Sequence, residues 1–485
     1  MRQENQWINC YYTNWPQYRP GDGKYMPEDI DATLCTHIFY SFAKMCKGGG
    51  GWTICPYEWN DEDEDWSEGM YSRVQKKKEE NPELKVLLAV GGWNHGSTGF
   101  KDMVSSRSSI ATWVPNAIKY AQDHGFDGLD LDWEYPAKTT VDTSPPEDYQ
   151  NFQTLCEMLR EEIDNNHPGF LLTAAVGIGS DKIYVKDGAP PSYNVRHLSD
   201  HVDMINLMMY DVHGHWEDLT GHHALAHAKL SDDRLDYSDS VEWVLENWIV
   251  QGADPQKIAL GLGAFGRSFT LMDSSNHGYN APCKLGMNGL YSGEPGTYTR
   301  EGGYLAYYEI CEKIQSGEFE EVWDEEGQVP YATGGDQWVG YDNVQSIQYK
   351  VEMAKHYNLG GIMWWATDID DFKGTFCGQG KYPLMTAAKQ SWHDGYVPTT
   401  TPAYTGPSTS KTTTTKTTTT LGPGQCTHGK YYPDPSTCEK YNLCSNNNLI
   451  PFECAPGLSF DENIGTCNWS SEVDCCSGQR PCNGL

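Results

Sequence analysis

Basic residues are scarce in this chain: 35 Lys and Arg stand against 67 Asp and Glu over 485 residues, a formal net charge of -32 at pH 7. That balance excludes nucleic acid as a partner, because the phosphate backbone would be repelled. It argues equally against an anionic membrane surface. Apolar runs of membrane-spanning length are absent, so no bilayer-crossing helix is expected. A leader is missing too: Met1-Arg2-Gln3-Glu4-Asn5 runs straight into an apolar stretch of strand length, which predicts a mature chain whose leader is gone. No cofactor-binding motif is read, and no cofactor is expected. Cysteine, by contrast, is plentiful at 16 residues, which predicts disulfides and a secreted, extracellular protein. The 17 Trp and 30 Tyr supply broad rings that either fill a core or stack on sugars.

Length alone predicts more than one domain. Residues 1–393 carry mixed apolar periodicities, and 394–425 turn to Thr, Pro, Ser, Gly and Lys. No Val, Leu, Ile or Met occurs between Val397 and Leu421, so the stretch reads as an extended linker. Residues 426–485 then hold 8 cysteines in 60 positions. Within the first segment eight strand-like runs alternate with helical patterns: Trp7–Tyr12, His37–Phe42, Val86–Val90, Gly128–Trp133, Leu171–Val176, Met204–Met209, Ile258–Leu262 and Gly361–Trp365. Continuous apolar runs suit parallel strands covered on both faces. One helical stripe is Ile110, Trp113, Val114, Ala117, Ile118 and Ala121; another is Phe152, Leu155, Cys156, Leu159 and Ile163. Eight β/α units predict an α/β fold, a (β/α)8 TIM barrel, with a small α+β insertion at about 266–355. A doubly wound open sheet would satisfy the same alternation.

The segment Asp127-Gly128-Leu129-Asp130-Leu131-Asp132-Trp133-Glu134 carries the chemistry. Strand side chains alternate, so Asp130, Asp132 and Glu134 share one face while Leu129, Leu131 and Trp133 take the other. In a barrel the acids would point into the lumen, where repulsion and desolvation favour holding protons at neutral pH. Glu134, outermost, is the candidate general acid. Three in-line carboxylates could instead clamp a hard divalent cation. Histidines 213, 215, 222, 223 and 227 cluster enough to suggest zinc, but no metal is expected at either place.

The same segment resembles the DxxDxDxE signature of family 18 glycoside hydrolases, with Asp127, Asp130, Asp132 and Glu134 in place. Cys10-Tyr11-Tyr12-Thr13-Asn14-Trp15, Leu87-Leu88-Ala89-Val90-Gly91-Gly92-Trp93-Asn94, Asn206-Leu207-Met208-Met209-Tyr210-Asp211 and Gly361-Ile362-Met363-Trp364-Trp365-Ala366 extend the likeness over the first segment, closest to animal chitinases. The resemblance implies retaining hydrolysis of chitin and chitooligosaccharides, with the substrate's acetamide as nucleophile. Glu134 would be the acid, Asp132 would orient the acetamide, Asp130 would share a proton with Asp132, and Tyr210 would hold the acetamide carbonyl. Trp365 would floor the reacting sugar. Asp211, Met208 and Arg267 would line the cleft, with Trp15, Trp59, Trp93, Trp216, Tyr11, Phe42, Asn94 and Glu301 along the groove. One departure stands out: Phe265-Gly266-Arg267-Ser268-Phe269 has phenylalanine where the family usually has tyrosine, removing a hydrogen bond worth about 0.5–1.5 kcal/mol. A non-catalytic lectin on the same barrel is the competing reading; such relatives typically lack the terminal Glu.

The spacing Cys426-x11-Cys438-x5-Cys444-x9-Cys454-x12-Cys467-x7-Cys475 resembles a peritrophin-type chitin-binding domain. That likeness implies bridges Cys426–Cys444, Cys438–Cys475 and Cys454–Cys467, and the barrel's implies Cys10–Cys35 and Cys311–Cys377. Cys46 and Cys55 flank a glycine loop they would close; Cys156 is either a packed thiol or a partner for Cys283. Cys476 and Cys482 are extra. Tyr431, Tyr432, Tyr441, Phe452, Phe460 and Trp469 are candidate stacking residues. A monomer is expected.

Overall fold

In the computed structural model, the described residues are 6–229, 240–285 and 293–394, together with strands between 431 and 469. Two compact units result, one reaching to residue 397 and the other from 398 onward. In the first, strands β1 (Trp7–Thr13), β2 (His37–Gly48), β3 (Gly51–Pro56), β4 (Lys85–Gly91), β5 (Gly128–Asp132), β6 (Leu171–Val176), β7 (Met204–Leu207) and β8 (Ile258–Gly263) precede an insertion. The insertion holds β9 (Phe265–Thr270), β10 (Tyr304–Ala306), β11 (Glu320–Asp324), β12 (Val329–Gly334) and β13 (Gln337–Tyr341), and β14 (Gly361–Trp365) follows it. The main sheet runs β1-β14-β8-β7-β6-β5-β4-β2, and β1 also pairs with β2 in parallel. Eight parallel strands therefore close into a (β/α)8 barrel, and the open-sheet alternative falls. β3 adds an antiparallel hairpin beyond β2.

The helices form where the apolar stripes predict. Helix Arg107–Asp123 buries Ile110, Trp113, Val114, Ala117, Ile118 and Ala121, and Ser106 caps it by accepting from the Ser109 amide. Helix Asp148–Asn166 buries Phe152, Leu155, Cys156, Leu159 and Ile163. Between these helices and the barrel lies the outward face of β5. Leu129, Leu131 and Trp133 are buried there. The Trp133 ring stacks on Phe100 at 5.0 Å, meets Phe152 edge-on at 6.0 Å, and donates its indole N–H to Ser97. That packing fixes which way the other face of β5 looks.

The inserted sheet is antiparallel, ordered β10-β9-β13-β12-β11, around a small core of Phe269, Leu271, Ala281, Cys283 and Trp338. It ends at Tyr341, before the expected boundary near 355, because helix Val344–His356 packs against helix Pro383–Asp394 and β14 and so belongs to the barrel wall. Disulfides join Cys10 to Cys35, Cys46 to Cys55 and Cys311 to Cys377. Cys156 is a free thiol, and both it and Cys283 are buried. No helix among the described residues is long and apolar enough to cross a membrane.

The second unit contains antiparallel strands Tyr431–Pro433, Lys440–Ser445 and Asn448–Glu453, and a separate pair, Leu458–Asp461 with Thr466–Trp469. Tyr441 lies opposite Phe452, and Leu458 opposite Trp469. The linker residues 395–425 lie outside the described residues, as do Cys426, Cys438, Cys454, Cys475, Cys476 and Cys482. Cys444 and Cys467 fall on strands.

Peptide mapping tests the cysteine arrangement. After unfolding without reductant, alkylation is expected at Cys156, and not at the six bridged barrel cysteines. A cross-linked Cys156–Cys283 peptide would contradict the packing found here.

Candidate active site

β5 is flanked by β4 and β6, with Ala89 and Thr173 beside Asp130 and Gly91 beside Asp132. Its ladder ends at Asp132, one residue short of the expected Trp133, so Glu134 stands just beyond the strand at its C-terminal mouth. Asp130 is fully buried and its charge is well provided for: Tyr11 donates to Oδ2 at 2.7 Å and Thr173 to Oδ1 at 2.6 Å. Tyr11 in turn accepts from the Asn206 amide at 3.2 Å, and Asn206 accepts from Asn9 at 2.8 Å. Burial raises the Asp130 carboxyl to about 6, opposed by these hydrogen bonds. Among the described residues no hydrogen bond joins Asp130 to Asp132.

Asp132 is placed differently. It is 2 % exposed, and its Oδ1 is buried with no hydrogen-bond partner among the described residues. Burial, followed by the charges of Glu134 and Asp130, pushes its carboxyl well above the usual range. The close approach is possible because Gly91 has φ +118°: a Cβ there would stand 2.1 Å from the Asp132 carbonyl oxygen. Glu134, 8 % exposed, is lifted by burial to about 7, with Asp211 raising it further and Tyr135 and Lys182 opposing. Tyr210 is buried close enough to Asp132, Asp211 and Glu134 for their charges to raise its hydroxyl, after burial itself. Its hydrogen-bond partner among the described residues is the Met363 sulfur, at 3.7 Å.

The first acid of the segment does not join the others. Asp127 accepts from the Val86 amide at 2.8 Å and pairs with Lys78 at 2.7 Å, at the strand's opposite end.

Two aromatic groups flank the acids. Trp365, half-buried on β14, contacts Tyr11 at 5.6 Å, Phe42 at 5.9 Å and the exposed Trp15 at 6.2 Å. Across the mouth Arg267 donates to Asp211 at 2.7 Å and lies over the rings of Trp216, Phe265 and Tyr304. Glu301, exposed, acts electrostatically on the same arginine. Phe265 is buried between Tyr304 at 4.8 Å and His223 at 4.6 Å, with Tyr210 edge-on at 5.7 Å. Trp93 and Asn94 are exposed on the turn after β4, and Met208 follows β7. No ring contact or side-chain hydrogen bond ties these three to the cluster among the described residues. Trp59 stands apart, stacked on the equally exposed Trp66 at 6.4 Å and donating to Tyr18.

Thr173, Asn9 and Asn206 were not picked out from the sequence as site residues, yet they build the polar web under Asp130. Their signal was a lone polar residue of lumen-facing parity within an apolar run. Tyr304 and Trp66 had no such signal.

Among the described residues, the histidines of the 213–227 stretch do not gather into a group of ligand atoms. His213 pairs with Glu217, His222 bridges the Tyr341 carbonyl and the Ala224 amide, and His227 sits between Glu242 and Tyr349.

Residues 8–370 match the family described as Glycosyl hydrolases family 18, and 426–476 that described as Chitin binding Peritrophin-A domain. Mouse chitotriosidase-1 is 36 % identical over 469 residues, covering 95 % of both chains. The structure of an Ostrinia furnacalis Group II chitinase catalytic domain superposes with a TM-score of 0.73 at 37 % identity, covering 81 % of this chain and 98 % of that one. Human YKL-39, described as a pseudo-chitinase with retained chitooligosaccharide binding, superposes with a TM-score of 0.70 at 35 % identity, covering 80 % and 99 %.

Glu134 has a consequence for stability. With its carboxyl raised from 4.5 to about 7, the folded chain keeps a proton the unfolded chain loses above its own value. Stability conferred at low pH is therefore lost as pH rises through that window. Glu134→Gln removes this contribution, about 3 kcal/mol at most, so its Tm is expected to fall less between about pH 4.5 and 7. Parallel Tm-versus-pH curves for the two chains would refute the assigned shift.

Proposed function

The chain belongs to glycosyl hydrolase family 18 and carries a chitin-binding Peritrophin-A domain, and on that premise we propose that it is a secreted chitinase cleaving β-1,4-linked N-acetylglucosamine polymers by a retaining, substrate-assisted route. The observation that carries this reading is the Glu134 carboxyl: burial lifts it to about 7, so it keeps a proton up into the neutral range while standing at the barrel mouth.

In the proposed reaction Glu134 gives its proton to the glycosidic oxygen as the bond to the anomeric carbon breaks. The substrate's own acetamide oxygen closes on that carbon, forming an oxazolinium ion. Water then opens the ring, its proton passing to the Glu134 carboxylate, and the configuration is retained. The unpartnered Oδ1 of Asp132 is suited to accept the acetamide N–H, turning the carbonyl towards the carbon and stabilising the positive charge. Tyr210, whose hydroxyl has a weak sulfur acceptor as its hydrogen-bond partner among the described residues, would donate to the acetamide carbonyl. Asp130, held by Tyr11 and Thr173, acts through its charge on Asp132. Trp365, with Phe42 and Trp15 beside it, offers the apolar floor a pyranose face packs on. A sugar lacking the 2-acetamido group would lack the nucleophile.

A chitooligosaccharide-binding lectin is the second reading, favoured by the likeness to YKL-39. Retention of Glu134, Asp132 and Tyr210 weighs for catalysis. Three barrel disulfides support an oxidising destination. The Thr-rich linker would let the barrel sample polymer near an anchored binding module, raising local substrate concentration.

With a chromogenic chitooligosaccharide, Glu134→Gln is expected to lower kcat by about 10²–10⁴-fold while leaving binding intact. The native chain should lose activity on the alkaline side with an apparent pKa near 7. Equal turnover by both chains would discard Glu134 as the acid, and no turnover by either would favour the lectin. Removing residues 426–485 is expected to weaken binding to insoluble chitin and leave soluble oligomer cleavage within about twofold. A large loss on the soluble substrate would argue against independent modules.

A further inference from the structure

The histidines that do converge lie elsewhere. His197 and His201 are four residues apart on helix Val195–His201, so both imidazoles leave the same face. Their rings stack 4.1 Å apart at 18°. Glu157, from the middle of helix Asp148–Asn166, brings its carboxylate to 2.9 Å from His197 Nε2. One ligand atom from each of the three lies within 4.8 Å of the other two. All three side chains are half-buried, so solvent reaches them.

We propose that Glu157, His197 and His201 form a binding site for zinc or a similar borderline divalent cation on the outer wall of the barrel. Zinc holds nitrogen and oxygen ligands at about 2.0–2.2 Å, which sets ligand atoms about 3.4 Å apart in a tetrahedron. The observed separations, from 2.9 Å to at most 4.8 Å, bracket that spacing. His201 is already in the required tautomer. Its Nδ1 lies 2.7 Å from the His197 carbonyl oxygen, which can only accept, so Nδ1 carries the proton and Nε2 presents a lone pair. Metal-ligating histidines commonly make this second hydrogen bond to a backbone carbonyl. At His197 the cation would take the place of the proton shared with Glu157, and that proton would pass to Nδ1, which is buried without a hydrogen-bond partner among the described residues. Two imidazoles and one carboxylate favour zinc over calcium or magnesium, which prefer all-oxygen shells. Water would complete the tetrahedron.

The site is remote from the acids. His201 ends the helix leading into the N-terminal end of β7, whereas Glu134 follows the C-terminal end of β5. Its effect would be to clamp two neighbouring wall helices, beside the existing Arg160–Asp203 ion pair. The role that follows is structural, by stabilising the folded barrel on binding.

Cobalt(II) is the direct probe, because four-coordinate Co(II) absorbs strongly in the visible. Tag-free full-length protein, stripped with chelator, is titrated with Co(II) at neutral pH. One equivalent is expected to give tetrahedral bands that zinc abolishes, and saturating zinc is expected to raise Tm by about 3 °C or more. His201→Gln and Glu157→Gln, each shown folded by its metal-free melting curve, should weaken binding at least about tenfold and lose the zinc-dependent Tm rise. His227→Gln should behave as native. Absence of tetrahedral bands in the native chain, or bands unchanged in His201→Gln, would overturn the site.

Discussion

Everything in this barrel is arranged around the cost of placing three carboxyl groups in one column of its interior. Charged carboxylates buried side by side would repel and lose hydration. The chain meets that cost in two ways. At the deepest position hydroxyls from Tyr11 and Thr173 solvate Asp130. Higher up, few donors are offered, and burial drives Asp132 and Glu134 towards their neutral forms. The gradient runs from a solvated acid at the bottom to a protonated one at the mouth. The apolar side of β5 is what makes it rigid: Trp133 is clamped between Phe100 and Phe152, so the column cannot rotate to relieve itself.

Much of this was legible in the sequence because it depends on period. Alternation of acids and apolar residues at 129–134 assigns the two faces before any neighbour is known, and the helical stripes at 110–121 and 152–163 name their buried residues for the same reason. What escaped depends on register between distant strands. Thr173 matters because β6 sets it beside Asp130, and Asn9 and Asn206 because β1 and β7 face each other across the lumen. A single sequence carries no sign of such pairings. Local density also misleads: within 213–227, His213, His222 and His227 turn to different partners, while His197 and His201 meet Glu157 from another helix. Cys156 and Cys283 show the same limit, since neither spacing nor burial could say whether they paired.

The aromatic residues divide by depth. Tyr11, Phe42 and Phe265 are buried and shape the walls, whereas Trp15, Trp59, Trp66, Trp93 and Trp216 show broad exposed faces. Exposed tryptophans of this number are costly on a protein that binds nothing apolar, and they sit comfortably with a polymer ligand. Phe265 is instructive here. Its ring is held by Tyr304 and His223 and covered by Arg267, which keeps its own pair with Asp211.

The account stands or falls on the proton at Glu134. Infrared difference spectra between the native chain and Glu134→Gln report the carbonyl stretch lost with that carboxyl, read together with the band of Asp132, which the Glu134 charge also raises. The band is expected at about pH 6 and should vanish with a midpoint near 7. A midpoint near 4.5, the value of an ordinary glutamate, would contradict it.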